Sequence, residues 1–144
     1  MSDERRIDPT ANHCFGCGAL NPVGLKLKFV IETLATGNVV ATASIQLTRA
    51  YQGGTGHMHG GIIATLMDEA MSKLNKPLEV SAVTRHIEVD YLRPSPVDVE
   101  LTLVGRHVRR EGRKLFHAAE LINLEGEVLA KAQGLFIVVE RLNG

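Results

Sequence analysis

One stretch of this chain repeats its apolar side chains at helical spacing, and that lone helix constrains the fold more than any other feature. Ile62, Ile63, Leu66, Met67, Ala70, Met71 and Leu74 recur at the helical period and cover roughly half a helix surface. Pro77 follows closely, so the helix is expected to stop near Asn75. Its flanks read as strands. Leu25–Ile31 and Asn38–Leu47 precede it, and Val39, Ala41, Ala43, Ile45 and Leu47 of the second run share one face at period two. Gly37 and Asn38 suit the hairpin between these runs. Thr48 to Met58, with Gly53, Gly54 and Gly56, reads as a loop. Downstream, Val80–Tyr91 runs up to Pro94 and Pro96, and Val97, Val99, Leu101 and Leu103 alternate after them. Lys114–Asn123 and Glu127–Glu140 flank a hairpin signal at Glu125-Gly126. The order is two strands, one long helix, then four strands. A curved antiparallel sheet wrapped around the helix buries such a stripe best, which is an α+β arrangement.

Residues 1–22, polar and rich in Gly and Pro, read as an irregular lead-in, and residues 23–144 as one domain. Sixteen basic residues offset sixteen acidic ones, so bulk charge makes no case for nucleic acid, and an anionic ligand would have to meet a local patch. No run approaches the roughly 18 apolar residues of a membrane span. The opening MSDERRIDPT is charged and lacks the apolar segment of a secretory signal. The expectation is a cytoplasmic protein without a disulfide framework.

Gly60 and Gly61 open the helix directly after His59. A helix N-terminus presents unpaired N–H groups and a partial positive charge, so a carbonyl approaching Gly60 would meet donors placed for an oxyanion. The same glycine pair also suits close packing of the helix on a strand, and spacing alone leaves both readings open. On a helical wheel the apolar arc runs from Ile62 to Met71, with Asp68 just beyond one edge and Glu69 just beyond the other. Partial desolvation there would make either carboxylate a better base, although any amphipathic helix puts charges at such edges. The wheel does not choose between the two.

The run HGGIIATLMDEAM resembles the helix of the PaaI-like hotdog-fold acyl-CoA thioesterases, with His-Gly-Gly, six residues, then an acidic catalytic residue. That count falls on Asp68. TRHIEVDYLRP resembles the strand that follows the helix in that family, and EGRKLFHAAELIN the segment that meets coenzyme A in its long-chain members. The likeness covers about residues 14–140 and agrees in order with the strand and helix pattern.

The resemblance implies a hotdog fold and hydrolysis of an acyl-CoA thioester to free acid and CoA, without metal or cofactor. Asp68 would be general base or nucleophile, Gly60 would donate its N–H to the thioester oxygen, His59 would position that oxygen, and Thr84 would hold the water. Gly61, Asp90, Arg93, Arg113 and Lys114 would contact substrate. Leu92 stands where relatives carry a polar contact, and Gly53 where some carry an Asn, with Gln52 beside it as a substitute. Gly60 and Asp68 lie eight residues apart, roughly 12 Å along one helix. Both must come within roughly 3 Å of one reacting centre, so two chains are expected to share each site. The family likewise implies a homodimer, commonly paired into a tetramer.

Arg106, Arg109, Arg110, Arg113 and Lys114 crowd one strand connection and suit phosphates; a solvated basic turn is the plainer alternative. Cys14-Phe-Gly-Cys17 offers only two of the four ligands of a structural zinc site, so a loop-shaping role without metal is expected. His86, His107 and His117 sit in strand patterns as surface or satisfied groups. Two other functions fit the same pattern: a hydratase or dehydratase using His57 or His59 with Glu69, and a non-catalytic acyl-CoA-binding module.

Overall fold

The computed structural model describes residues 12–141. Its elements are β1 (Val30–Thr33), β2 (Val39–Ile45), α1 (Gly60–Ser72), β3 (Val80–Tyr91), β4 (Leu101–Glu111), β5 (Lys114–Ile122) and β6 (Val128–Arg141), with a 3-10 turn at Arg49–Tyr51. The strands form one antiparallel sheet in the order β1-β2-β4-β5-β6-β3. The order of two strands, a helix and four strands agrees with the sequence pattern.

The helix lies across the sheet and touches β2 through β6. Leu66, Met67, Ala70 and Met71 are wholly buried, as are Leu101, Leu103, Leu115, Leu121 and Phe136. Each large side chain so buried contributes about 1.5–3 kcal/mol relative to exposure. The closest approach is at Gly105, where a Cβ would stand 2.3 Å from the Ala70 carbonyl oxygen. No other residue fits there without lifting α1 off β4.

Three element boundaries differ from the sequence reading. The helix ends at Ser72, and Leu74 and Asn75 continue as hydrogen-bonded turns. Leu25–Phe29 is not strand, because the Leu25 and Leu27 N–H groups bond the carbonyls of Phe15 and Gly16 in the lead-in, leaving β1 short and exposed. Val97 and Val99 lie outside β4. Asp98 has φ +60° and donates its N–H to Leu47, which breaks the extended run before Leu101. Of the lead-in, residues 1–11 lie outside the described residues.

Two features of β3 position the site. It is a strand 12 residues long that, among the described residues, forms the sheet's edge and pairs only with β6. It also carries a bulge between Thr84 and His86. Residues 84 and 91 would otherwise face opposite sides of the sheet, since strand side chains alternate. The extra residue, Arg85, resets the alternation, and both Thr84 and Tyr91 reach α1.

Three polar side chains are buried among the described residues, Asn75, Ser95 and His117, and two of them bond each other. His117 is buried, with Nε2 2.9 Å from Asn75 Oδ1 and Nδ1 3.1 Å from His107 Nδ1. Burial, and secondarily the neighbouring His107, push its pKa down to about 4. His107 is lowered as well, by burial and then by Arg110. A neutral His117 donating to Asn75 and accepting from His107 satisfies all three groups.

Candidate active site

The start of α1 is built by His59. Its backbone is extended, at φ −62° and ψ 136°, and its Nδ1 accepts the Gly61 N–H at 2.9 Å. A neutral ring accepting at Nδ1 carries its proton on Nε2, which therefore faces outward as a donor. The Ile62 and Ile63 N–H groups turn back to the His59 carbonyl. Among the described residues, nothing bonds the Gly60 N–H. Tyr91 donates its hydroxyl to the Gly60 carbonyl at 2.7 Å, tying this first turn to the end of β3. A shallow cleft of about 390 Å³ opens beside it, lined by Ala50, Tyr51, Gln52, His59, Gly61 and Ile62. Gln52 spends its Oε1 on the Gly56 N–H. A separate cleft of about 310 Å³, on the sheet's far side near Phe116 and Leu135, is lined by Arg109 of the basic crowd but by none of His59, Gly60, Asp68 and Thr84.

Further along α1 the two carboxylates diverge. Both are half-buried at the edges of the apolar stripe. Asp68 Oδ1 accepts the Thr84 hydroxyl at 2.7 Å. Glu69 Oε1 lies 3.4 Å from the Cys14 thiol, on the side of the lead-in. Cys17 joins that group: the ligand atoms of Cys14, Cys17 and Glu69 lie within 4.8 Å of one another. Burial raises the Cys17 pKa, with Lys73 beside it working the other way. The sequence showed only the two cysteines, because the third member comes from a helix packed against them.

Thus Asp68 and Thr84 are brought together, and so are His59, Gly60, Gly61 and Tyr91. The two groups are not brought to one another. The remaining contacts named from sequence also divide. Asp90 and Arg93 lie at the Tyr91 end of β3, and Arg93 is paired with Glu127 at 2.6 Å. Arg113 and Lys114 lie level with the other end, since Lys114 pairs with Ile137, which pairs with Val83. At about 4.8 Å per strand, Lys114 is roughly 10 Å from that edge. The basic crowd is largely engaged: Arg106 with Glu120, Arg109 with Glu111 and over Phe116, Arg110 with the Gly112 carbonyl, and Arg113 Nε with the Val138 carbonyl at 3.0 Å. Lys114 has no ion pair among the described residues. Sequence reasoning passed over the Tyr91 hydroxyl, whose partner on α1 is visible only once the bulge is known.

Known proteins resemble the chain in sequence and in fold. The pattern of the thioesterase superfamily matches residues 55–130, just over half of the chain. An uncharacterized protein of Schizosaccharomyces pombe is 32% identical over 93 residues, covering 60% of this chain and 53% of that protein. The acyl-coenzyme A thioesterase THEM4 of Bos taurus is 29% identical over 90 residues, covering 62% of this chain and 37% of its own length. The chain thus spans about half, or less, of the curated relatives it matches. Among solved structures, the thioesterase superfamily protein RHA08564 superposes with a TM-score of 0.77 at 32% identity, covering 88% of this chain and 60% of that one. A hypothetical thioesterase of Streptococcus pneumoniae, solved with coenzyme A, gives 0.68 at 25% identity over 79% of this chain and 90% of its own. The Escherichia coli PaaI protein, at 20% identity and a TM-score of 0.69 over 81% of this chain and 82% of its own, shares the hotdog fold. With its sequence pattern and its fold agreeing, the chain belongs to the thioesterase superfamily.

Proposed function

We propose that the chain hydrolyses an acyl-CoA thioester to free acid and CoA, at sites shared between two copies of itself. The observation that carries this reading is the Asp68–Thr84 hydrogen bond, which holds a half-buried carboxylate at the sheet's open edge. A hydroxyl that donates to Asp68 keeps lone pairs with which to accept from a water. In the hydrolytic step, Asp68 takes a proton from that water as its oxygen attacks the thioester carbon. The carbonyl oxygen becomes an oxyanion and meets the Gly60 N–H. Collapse of the intermediate breaks the C–S bond, and the CoA sulfur leaves as a thiolate that takes up a proton. Direct attack by Asp68, through an anhydride that water then opens, reaches the same products.

The same geometry supports the sharing. An unpaired edge of this length invites pairing with another strand. If two β3 strands pair antiparallel about a two-fold axis near their middle, the Thr84 end of one lies beside the Tyr91 end of the other. Asp68 and Thr84 of one copy then face Gly60 of its twin, and Arg113 and Lys114 approach Asp90 and Arg93. The coenzyme A held by the pneumococcal relative agrees with a CoA ester as substrate. The hydratase reading, which would use His57 or His59 with Glu69, is less well supported, because His59 caps the helix and Glu69 meets Cys14.

Incubation with an acyl-CoA series and a chromogenic thiol reagent tests the reading. Release of free CoA with matching free acid is expected. Hydration of an enoyl-CoA without CoA release, or binding without turnover, would overturn it.

A further inference from the structure

We propose that Cys14, Cys17 and Glu69 bind a zinc-class divalent cation that clips the N-terminal loop onto α1. The ligand atoms of all three lie within 4.8 Å of one another, and no fourth His, Cys, Asp or Glu among the described residues joins them. Cys14 Sγ stands 3.4 Å from Glu69 Oε1. A sulfur at about 2.3 Å and an oxygen at about 2.0 Å from a tetrahedral zinc are about 3.5 Å apart. The spacing of this thiol-to-carboxylate hydrogen bond thus matches one edge of the tetrahedron. The fourth corner would be left to a water or another external ligand.

The loop is shaped to deliver both sulfurs. The Gly18 N–H closes a turn onto the Cys14 carbonyl at 2.8 Å, and Asn12 Oδ1 accepts the Cys14 N–H at 3.1 Å. A Cβ at Gly16, between the cysteines, would fall 2.1 Å from Glu69 Cγ, and one at Gly18, just after them, would fall 2.3 Å from the Cys14 nitrogen. Glycine at both positions is therefore what lets the turn sit on the carboxylate. Two thiolates and a carboxylate carry three negative charges, which a divalent cation and the ammonium of Lys73, beside Cys17, bring to zero. The sulfur content selects zinc-class ions over magnesium or calcium. Because the same loop bonds Leu25 and Leu27, the ion would fasten the approach to β1 against the helix one residue from Asp68. This inference does not depend on thioester hydrolysis.

Cobalt(II) titration of the full chain, reduced and stripped with a chelator, is the test. One equivalent per chain should bind, with a thiolate-to-cobalt charge-transfer band and strong tetrahedral visible bands, and zinc should displace it. Cys14→Ser and Cys17→Ser should each lose the charge-transfer intensity. Glu69→Gln should weaken binding by at least about tenfold, since even outer-sphere partners of a metal reach that size. In the unaltered chain, zinc should protect both thiols from a thiol reagent, a readout that needs no variant to fold. Absence of the cobalt band at stoichiometric metal, thiols equally reactive with and without zinc, or Glu69→Gln binding as tightly as the parent would each overturn the proposal. So would a Cys14–Cys17 disulfide as the pair's only reaction after reduction and metal addition.

Discussion

Asp68 and Glu69 are neighbours of the same chemistry, yet α1 sends them to different places. Successive residues on a helix are about 100° apart, so one carboxylate leaves the apolar stripe toward the edge strand and the other toward the lead-in. Asp68 meets a hydroxyl at an open sheet edge; Glu69 meets a thiol under a closed turn. What lies opposite each side chain, rather than its acidity or its distance from the core, separates a group suited to proton transfer from one suited to holding structure.

Substitution of the pair should expose that contrast most strongly. Asp68→Asn should lower kcat by about 10³-fold, within the range of general-base catalysis, with little change in melting temperature. Glu69→Gln should leave kcat within about threefold, as expected of a group outside the proton path, and should lower thermal stability instead. Steady-state kinetics beside a thermal melt reads both, and the reverse ranking would mean that the roles are exchanged.

Next in size is a change at the helix start. Gly60→Pro removes the one N–H assigned to the oxyanion, at a position where proline suits the first helical turn. The extended backbone of His59 accepts a following proline. We expect an intact fold by circular dichroism and a fall of about 10²-fold in kcat, the usual loss for one oxyanion donor. Wild-type turnover in this variant would take the donor role from Gly60.

Smaller again is the phosphate contact. Replacing Arg113 and Lys114 together by Ala should raise KM for acyl-CoA about tenfold, the worth of one or two charge-assisted hydrogen bonds. A short acyl thioester without the nucleotide should be nearly unaffected. Equal effects on the two substrates would place the nucleotide elsewhere.

The last effect lies away from chemistry and concerns stability alone. His117 titrates near 4 in the fold, against about 6.5 when unfolded. Between these values the unfolded chain binds the extra proton, so stability rises with pH through the window and is lost as pH falls from 6.5 toward 4. The full loss is of order 3 kcal/mol. Melts of the parent and of His117→Gln should converge in acid, because glutamine keeps a donor for Asn75 and does not titrate. A parent whose melting temperature is flat from neutral pH to pH 4 would contradict a buried neutral imidazole.

Much of the fold was legible because its signals are periodic. Val80–Tyr91 coincides with β3, and the two runs that became β5 and β6 agree to within one or two residues, whereas β4 starts four residues later than its alternation suggests and runs on to Glu111. The failures have local causes that hydropathy does not carry. Leu25 and Leu27 alternate like a strand but spend their N–H groups on the lead-in, and Asp98 in a left-handed conformation interrupts Val97–Leu103. The bulge at Arg85 leaves no mark in the alternation, yet it turns both Thr84 and Tyr91 toward α1. The Asp68–Thr84 pair was reached through resemblance, whereas the Cys14–Glu69 contact spans 55 residues and follows only from packing.

The measurement that bears most directly on site sharing mixes two inactive chains. Asp68→Asn and Gly60→Pro are combined under conditions that exchange subunits, and activity is followed over time. Each mixed dimer would carry one site with both defects and one with neither, so recovery should reach about one quarter of the parental activity at equal amounts. No recovery, with subunit exchange confirmed by mass spectrometry of differently tagged chains, would contradict a site assembled from Asp68 of one chain and Gly60 of the other.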